Sequence, residues 1–204
     1  MYLGKSIISY IPPETIPVMI LILSIITLTI ILERMIYFWN LKPIHIDRIR
    51  EVRNALKTSD LEKAIGLLDR QGKNPTAKVV ITGIEAKKMG DSSIREEMET
   101  QGYRQIHKME RFLTGLGTIA TISPLMGVLG TVVGMIRSFE MGTGTKSAEV
   151  GISEALITTA MGLSVAIPAY IFYNYLVRKK EDKITEMENV TQQLLPIIES
   201  GKEA

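Results

Sequence analysis

The chain has 204 residues, 46% of them hydrophobic, and a net charge of +2, a length that bounds it to one or two domains and a composition ordinary for a soluble protein. So small a net charge argues against nucleic acid as a partner, and a cysteine count of zero removes disulfide frameworks and thiolate metal sites. The apolar residues are clustered, however, and the clusters point to a membrane.

Residues 1–15 carry Lys5, Glu14 and the Pro12-Pro13 pair and read as a short extended lead-in. Residues 16–39 are uncharged up to Glu33 and end in Tyr37, Phe38 and Trp39, which predicts a first transmembrane helix with an aromatic belt at its exit. This span is too long for a signal-peptide core and lacks a basic n-region and a small-residue cleavage site. Its Ile- and Leu-rich surface suits lipid, and Glu33 and Arg34 read as interfacial side chains that snorkel.

Residues 40–111 read as a cytoplasmic helical domain. Ser59-Asp60-Leu61-Glu62 resembles a capping box ahead of Leu61, Ile65 and Leu68, with a stop near Gly72. Asn74-Pro75 has N-cap and N1 chemistry for a helix carrying Val79, Ile81 and Ile84 and ending at Gly90. Ser93-Ile94-Arg95-Glu96 offers another capping box. No breaker follows before Gly115, so a continuous helix is expected to run into the second span. His45 and His107 lie far apart without a ligand-like pattern and read as helix-surface residues.

Residues 112–139 and 152–177 form two further apolar arms around an outer loop, 140–151, and a charged tail, 178–204, keeps helical spacing through Ile184, Met187, Val190 and Leu194. Each arm is long enough to span. At about 100° per residue, Ala120, Ser123, Gly127, Gly130, Thr131, Gly134 and Ser138 share one side of the first arm. Ala155, Thr158, Thr159, Gly162, Ala166 and Ala169 share one side of the second. Small-residue stripes let helix backbones approach closely, and two matched stripes with hydroxyls and a carboxylate also suit the border of a polar pathway. Pro124 and Pro168 are candidate kinks.

Orientation follows from the basic residues. Lys42, Arg48, Arg50 and Arg53 follow the first span, Lys108 and Arg111 precede the second, and Arg178, Lys179, Lys180 and Lys183 follow the third. These flanks read as cytoplasmic, with the N-terminus outside. Gly142-Thr143-Gly144-Thr145-Lys146-Ser147 imitates a phosphate-binding loop, but Thr145 stands where that pattern needs Gly, and no strand precedes it. With no metal cluster, dinucleotide fingerprint or nucleophile triad in the pattern, an enzyme acting on a soluble substrate is not expected, nor a cofactor.

The segments ISPLMGVLGTVVGMIRSF (122–139) and GISEALITTAMGLSVAIPAYIFYN (151–174) resemble the signature of the MotA/TolQ/ExbB proton-channel family, and the three-span plan is nearest to its ExbB/TolQ branch. The resemblance implies an all-α membrane protein: three transmembrane helices with long cytoplasmic helical extensions, assembled as a ring, typically a homopentamer, in the bacterial inner membrane. It implies a dimeric single-span ExbD/TolR-like partner in the pore, with a TonB/TolA-like periplasm-spanning protein beyond it. Proton motive force would then be converted into work on a periplasmic or outer-membrane target. It also implies that Thr131 and Thr159 line the lumen and that Glu154 stands at its outer end; the stripes themselves add Thr158 to the polar side and assign Gly127, Gly130, Gly134, Gly162 and Ala166 to helix contacts.

The residues alone leave alternatives open. Thr131, Thr158, Thr159 and Ser164 relay hydrogen bonds but cannot store a proton at neutral pH. Either Glu154 serves alone or a partner supplies the mid-membrane carboxylate, and Glu154 is equally suited to be an interfacial anchor paired with Lys146 or Arg137. The threonine hydroxyls also suit simple bonds to preceding carbonyls. A non-conducting scaffold that assembles partner helices is the alternative to a motor subunit.

Overall fold

The computed structural model describes residues 12, 14–41, 43–70, 72, 74–140 and 145–200. Among them all regular structure is helical: α1 (Thr15–Asn40), α2 (Ile46–Lys57), α3 (Leu61–Asp69), α4 (Pro75–Lys88), α5 (Ile94–Glu110), α6 (Leu113–Glu140) and α7 (Lys146–Ser200). Three stretches are long and apolar enough to cross a membrane, in α1, in the α5–α6 run and in α7. Most of the predicted lead-in, part of the outer loop with the phosphate-loop lookalike, and the last four residues lie outside the described residues.

Two compact units emerge. One comprises the described residues up to Arg34 with Phe112–Tyr175, and the other comprises Met35–Arg111 with those from Leu176 onward. In the first unit Ile16, Ile20, Ile119, Val133 and Val165 pack together, which fastens α1 to the α6–α7 hairpin. Thr27 and Ile31 continue the buried side of α1, while its other side is bare: Leu21, Ile22, Ile25, Leu28 and Leu32 are all exposed. In lipid such a surface needs no cover, because acyl chains solvate Leu and Ile as well as a protein core does.

The second unit has an ordinary water-soluble core, in which Val52, Leu56, Leu68, Val80, Ile84, Met98, Met109, Leu194 and Ile198 are all nearly inaccessible. The tail of α7 is therefore part of this core. Glu186 ties it in: one carboxylate oxygen accepts from Ile44 N at 3.3 Å and Thr76 Oγ1 at 3.2 Å, while the other meets Lys183 Nζ at 2.7 Å. Asn74 caps α4 through its side-chain oxygen, which accepts from Thr76 N at 2.8 Å and Ala77 N at 3.3 Å, with Pro75 at N1. Gly72 and Gly90 take positive φ at the ends of α3 and α4, as helix C-termini favour.

Several details depart from the sequence reading. The cap of α3 is Asp60, whose carboxylate accepts from Lys63 N at 3.1 Å, while Ser59 occupies a left-handed turn with φ 56°. Ser93 makes no capping bond for α5; its N–H and hydroxyl both donate to Asp91 Oδ1, at 2.8 and 2.7 Å. The expected unbroken helix from residue 93 into the second span is interrupted at Arg111–Phe112, where Phe112 takes φ 65°. Of the expected aromatic belt, Trp39 is exposed, but Tyr37 and Phe38 pack against the second unit's core. The helix α7 starts at Lys146, inside the expected outer loop, where Thr145 Oγ1 accepts from Ala148 N at 3.2 Å. It also continues through Pro168 and past Pro196 to Ser200.

The two kinds of contact in the second unit predict different costs. Leu194→Ala, which empties a site that is 1% exposed, is expected to destabilise this unit by about 2–5 kcal/mol. Asn74→Ala, which removes one cap, is expected to cost about 1 kcal/mol. Thermal unfolding of the detergent-solubilised protein, followed by hydrogen exchange in α4 and the α7 tail, checks the order.

Candidate functional site

The hairpin of α6 and α7 is held by backbone proximity. A Cβ on Gly162 would lie 2.6 Å from the Ser123 carbonyl oxygen and 3.0 Å from Gly127 Cα, and one on Gly127 would lie 3.0 Å from Thr159 Cα. Glycine is required here because the neighbours are main-chain atoms that cannot swing aside. A Cβ on Gly134 would lie 2.6 Å from the Ala155 methyl, and Gly130 faces the Thr158 methyl. Gly127, Gly130, Gly162 and Ala166 are buried in the contact and Gly134 half-buried.

Hydroxyls in these arms mostly bond within their own helix. Thr118 donates to Thr114 O (2.9 Å), Thr121 to Gly117 O (3.1 Å), Thr131 to Val128 O (2.7 Å), Ser138 to Gly134 O (2.9 Å), Thr158 to Glu154 O (3.0 Å) and Ser164 to Ala160 O (2.8 Å). Thr159 differs. Its Oγ1 donates across the hairpin to Gly127 O at 2.9 Å, so the glycine that permits the approach also supplies the acceptor. Thr159, at this crossing, and Thr131, bonded within α6, are half-buried, whereas Thr158 is 6% exposed.

Glu154 stands elsewhere. It lines a recess of about 810 Å³ with Glu14, Ile16, Gly130, Arg137 and Thr158, on the side of the hairpin that α1 covers, and it is itself exposed. Neither Thr131 nor Thr159 lines that recess. Helix geometry gives the reason: five residues at about 100° each place Glu154 and Thr159 about 140° apart around α7. The structure thus brings Glu154 and Thr158 together with Glu14 and Arg137, and Thr159 together with Gly127. Among the described residues Glu154 makes no ion pair with Arg137 or Lys146, so the anchor reading has no such bond to rest on.

At the other end of this unit Arg34 is only 3% exposed, not snorkelling as its place in the sequence suggests. Its Nε and Nη2 donate to the two Glu33 carboxylate oxygens at 2.5 and 2.9 Å, and its guanidinium carbon lies 5.3 Å from the Phe112 ring centroid. Pairing and stacking together account for a buried cation. They also place Phe112, whose left-handed backbone is unusual for a bulky side chain, at the start of α6.

Sequence reasoning passed over one further group. Thr114, Gly117, Thr118, Thr121, Tyr170 and Tyr173 line a second recess of about 480 Å³. The signal was present as threonines at i, i+4 and i+7 in an arm otherwise exposing Leu, Val and Phe.

Three apolar spans, two of them joined through glycine contacts and carrying hydroxyls, define a class: multi-pass helical membrane proteins whose helices pack closely. Residues 71–189 match the family model of the MotA/TolQ/ExbB proton channel family. The chain is 34% identical over 160 residues to the biopolymer transport protein ExbB-like 3 of Synechocystis sp., covering 74% of this chain and 75% of that one. It is 38% identical over 101 residues to the biopolymer transport protein ExbB of Aquifex aeolicus (45% and 68% of the two chains). It is also 44% identical over 78 residues to the Tol-Pal system protein TolQ of Haemophilus influenzae (36% and 34%). The chain belongs to the MotA/TolQ/ExbB family, in its ExbB/TolQ-like part, and is a multi-pass inner-membrane protein.

The glycine contact predicts an asymmetry among alanine substitutions. Gly162→Ala and Gly127→Ala each force main chains apart and are expected to destabilise the hairpin by about 1–3 kcal/mol. Gly115→Ala, whose Cβ meets nothing within 4 Å, is expected to leave the melting temperature of the purified protein unchanged or slightly raised.

Proposed function

We propose that this chain is the ring-forming subunit of a proton-driven motor in the inner membrane. Several copies, five by the family pattern, enclose the helices of a single-span ExbD/TolR-like dimer, and proton flow through the shared axis drives movement that reaches a periplasmic or outer-membrane target. The N-terminus lies outside and the C-terminus in the cytoplasm, in keeping with the basic residues that flank the spans. In this reading the chain is a conduit and stator, not an enzyme.

One observation carries the need for a partner. Residues 113–136 of α6 and 155–177 of α7 contain no Asp, Glu, Lys, Arg or His. Hydroxyls relay hydrogen bonds but do not store a proton at neutral pH, so the mid-membrane acceptor has to come from another chain. Glu154 serves as an outer collecting group, in a recess that also holds Glu14 and Arg137. In this reading Thr159, bonded to Gly127 at the hairpin crossing, and Thr131 on α6 border the axis that the partner helix occupies. Each charge crossing the membrane releases about 2.3 kcal/mol per 100 mV, enough to bias two packed arrangements that differ by a few kcal/mol.

The scaffold alternative draws on the same glycine contacts, which serve assembly whether or not protons pass. Proton uptake into vesicles holding the chain with its single-span partner separates the two. Thr159→Ala and Glu154→Ala are expected to reduce uptake towards the level of empty vesicles while the copy number of the complex stays constant. Thr159→Ser, which keeps the donor to Gly127, is expected to retain uptake. Unchanged uptake in both alanine variants with intact assembly contradicts conduction and leaves the scaffold.

A further inference from the structure

The recess formed by Thr114, Gly117, Thr118, Thr121, Tyr170 and Tyr173 is used by nothing described so far. It lies wholly between α6 and α7, and no residue of α1 lines it. Gly117 admits the Tyr173 ring against α6 at its wall: a Cβ there would fall 2.9 Å from that ring.

It runs inward from Thr114, and its far end lies deeper than a headgroup belt. Thr121 lies about 12 Å along the axis from Leu113, and Tyr170 about 12 Å from Arg178, at 1.5 Å per residue, well inside a hydrocarbon core of about 30 Å. Thr118 and Thr121 have donated their protons to Thr114 O and Gly117 O, so each turns acceptor lone pairs outward. The hydroxyls of Thr114, Tyr170 and Tyr173 have no partner among the described residues. Tyr170 is 62% exposed, and a phenol at that depth without a partner is costly in lipid. A volume of about 480 Å³ has room for on the order of ten waters at about 30 Å³ each, and donors and acceptors are both on offer.

We infer that this recess is a water-filled inner mouth, through which protons leave the hairpin crossing towards the side where Leu113 and Arg178 lie. The inference rests on the proton-conducting reading above and adds to it the residues of the exit. Water carries the proton; the threonine and tyrosine hydroxyls orient the chain of waters and keep acyl chains out.

The cysteine-free sequence makes the test direct, since a thiol reacts with a charged methanethiosulfonate only where water ionises it. Single variants Thr118→Cys and Thr121→Cys are compared, in membranes holding the full-length chain and its partner, with Met89→Cys in the second unit and Ile25→Cys on the bare face of α1. The reagent is added on the side where Met89→Cys reacts. Expected are rates for Thr118→Cys and Thr121→Cys within roughly tenfold of Met89→Cys, with Ile25→Cys roughly 100-fold slower, and proton uptake falling as the recess is modified. Rates as slow as that of Ile25→Cys overturn the inference. Fast modification that leaves uptake intact, where Thr159→Ala abolishes it, overturns the inner mouth alone. Absence of uptake in the unmodified complex overturns both readings.

Discussion

The contact of main chain with main chain at Gly127 and Gly162 is the constraint from which the rest of the membrane unit follows. In water, two apolar helices associate because their surfaces leave solvent; in lipid that drive is missing, and close packing with interhelical hydrogen bonds has to replace it. Here both are supplied at one place. Two glycines bring the helices to van der Waals distance, and the Thr159 hydroxyl bonds the Gly127 carbonyl across the gap at 2.9 Å. Beside these glycines the contact holds small groups, Ala155 and the Thr158 and Thr159 side chains, while Leu125, Leu129, Leu156 and Ile157 are exposed on other faces.

Fixing the hairpin in this way also assigns its polar groups to separate sides. Thr158 and Glu154 turn towards α1 and the recess they share with Glu14 and Arg137, Thr159 towards α6, and the threonines at 114, 118 and 121 towards the recess beside Tyr170 and Tyr173. On the proposed reading, a conduit built from these parts is a sequence of hydroxyl-bearing patches, with its carboxylates, Glu154 and Glu14, at one end and not in the middle. That division of labour suits a subunit whose central acid belongs to a partner: the hairpin stays rigid and neutral while the titrating group moves past it. The second unit, by contrast, has the buried core of a water-soluble helical protein, with the α7 tail locked in by Glu186 and Lys183.

Much of this architecture was legible in the sequence because it depends on length and periodicity. The spans, the matched stripes of small residues and the Asn74-Pro75 helix start all follow from local chemistry. What escaped reading depends on groups distant in sequence or on competition between neighbours. Nothing local marks Arg111–Phe112 as a break, since neither residue is a helix breaker; the interruption goes with the Arg34 guanidinium against the Phe112 ring. Asp60 takes the cap from Ser59, and Asp91 takes the Ser93 hydroxyl, because adjacent polar side chains compete for the same few N–H groups. Arg34 looked interfacial because burial of a cation becomes possible only once Glu33 and Phe112 are arranged around it. The separation of Glu154 from Thr159, however, was available from spacing alone.

The central claim is that several copies of this hairpin enclose an axis occupied by another chain. Mass measurement of the detergent-extracted complex, with and without a co-expressed single-span partner, tests it most directly. The account predicts a discrete multimer of this chain, five copies by the family pattern, which gains the mass of two partner chains on co-expression. A single subunit in both preparations, or a multimer that takes up no partner, would contradict it.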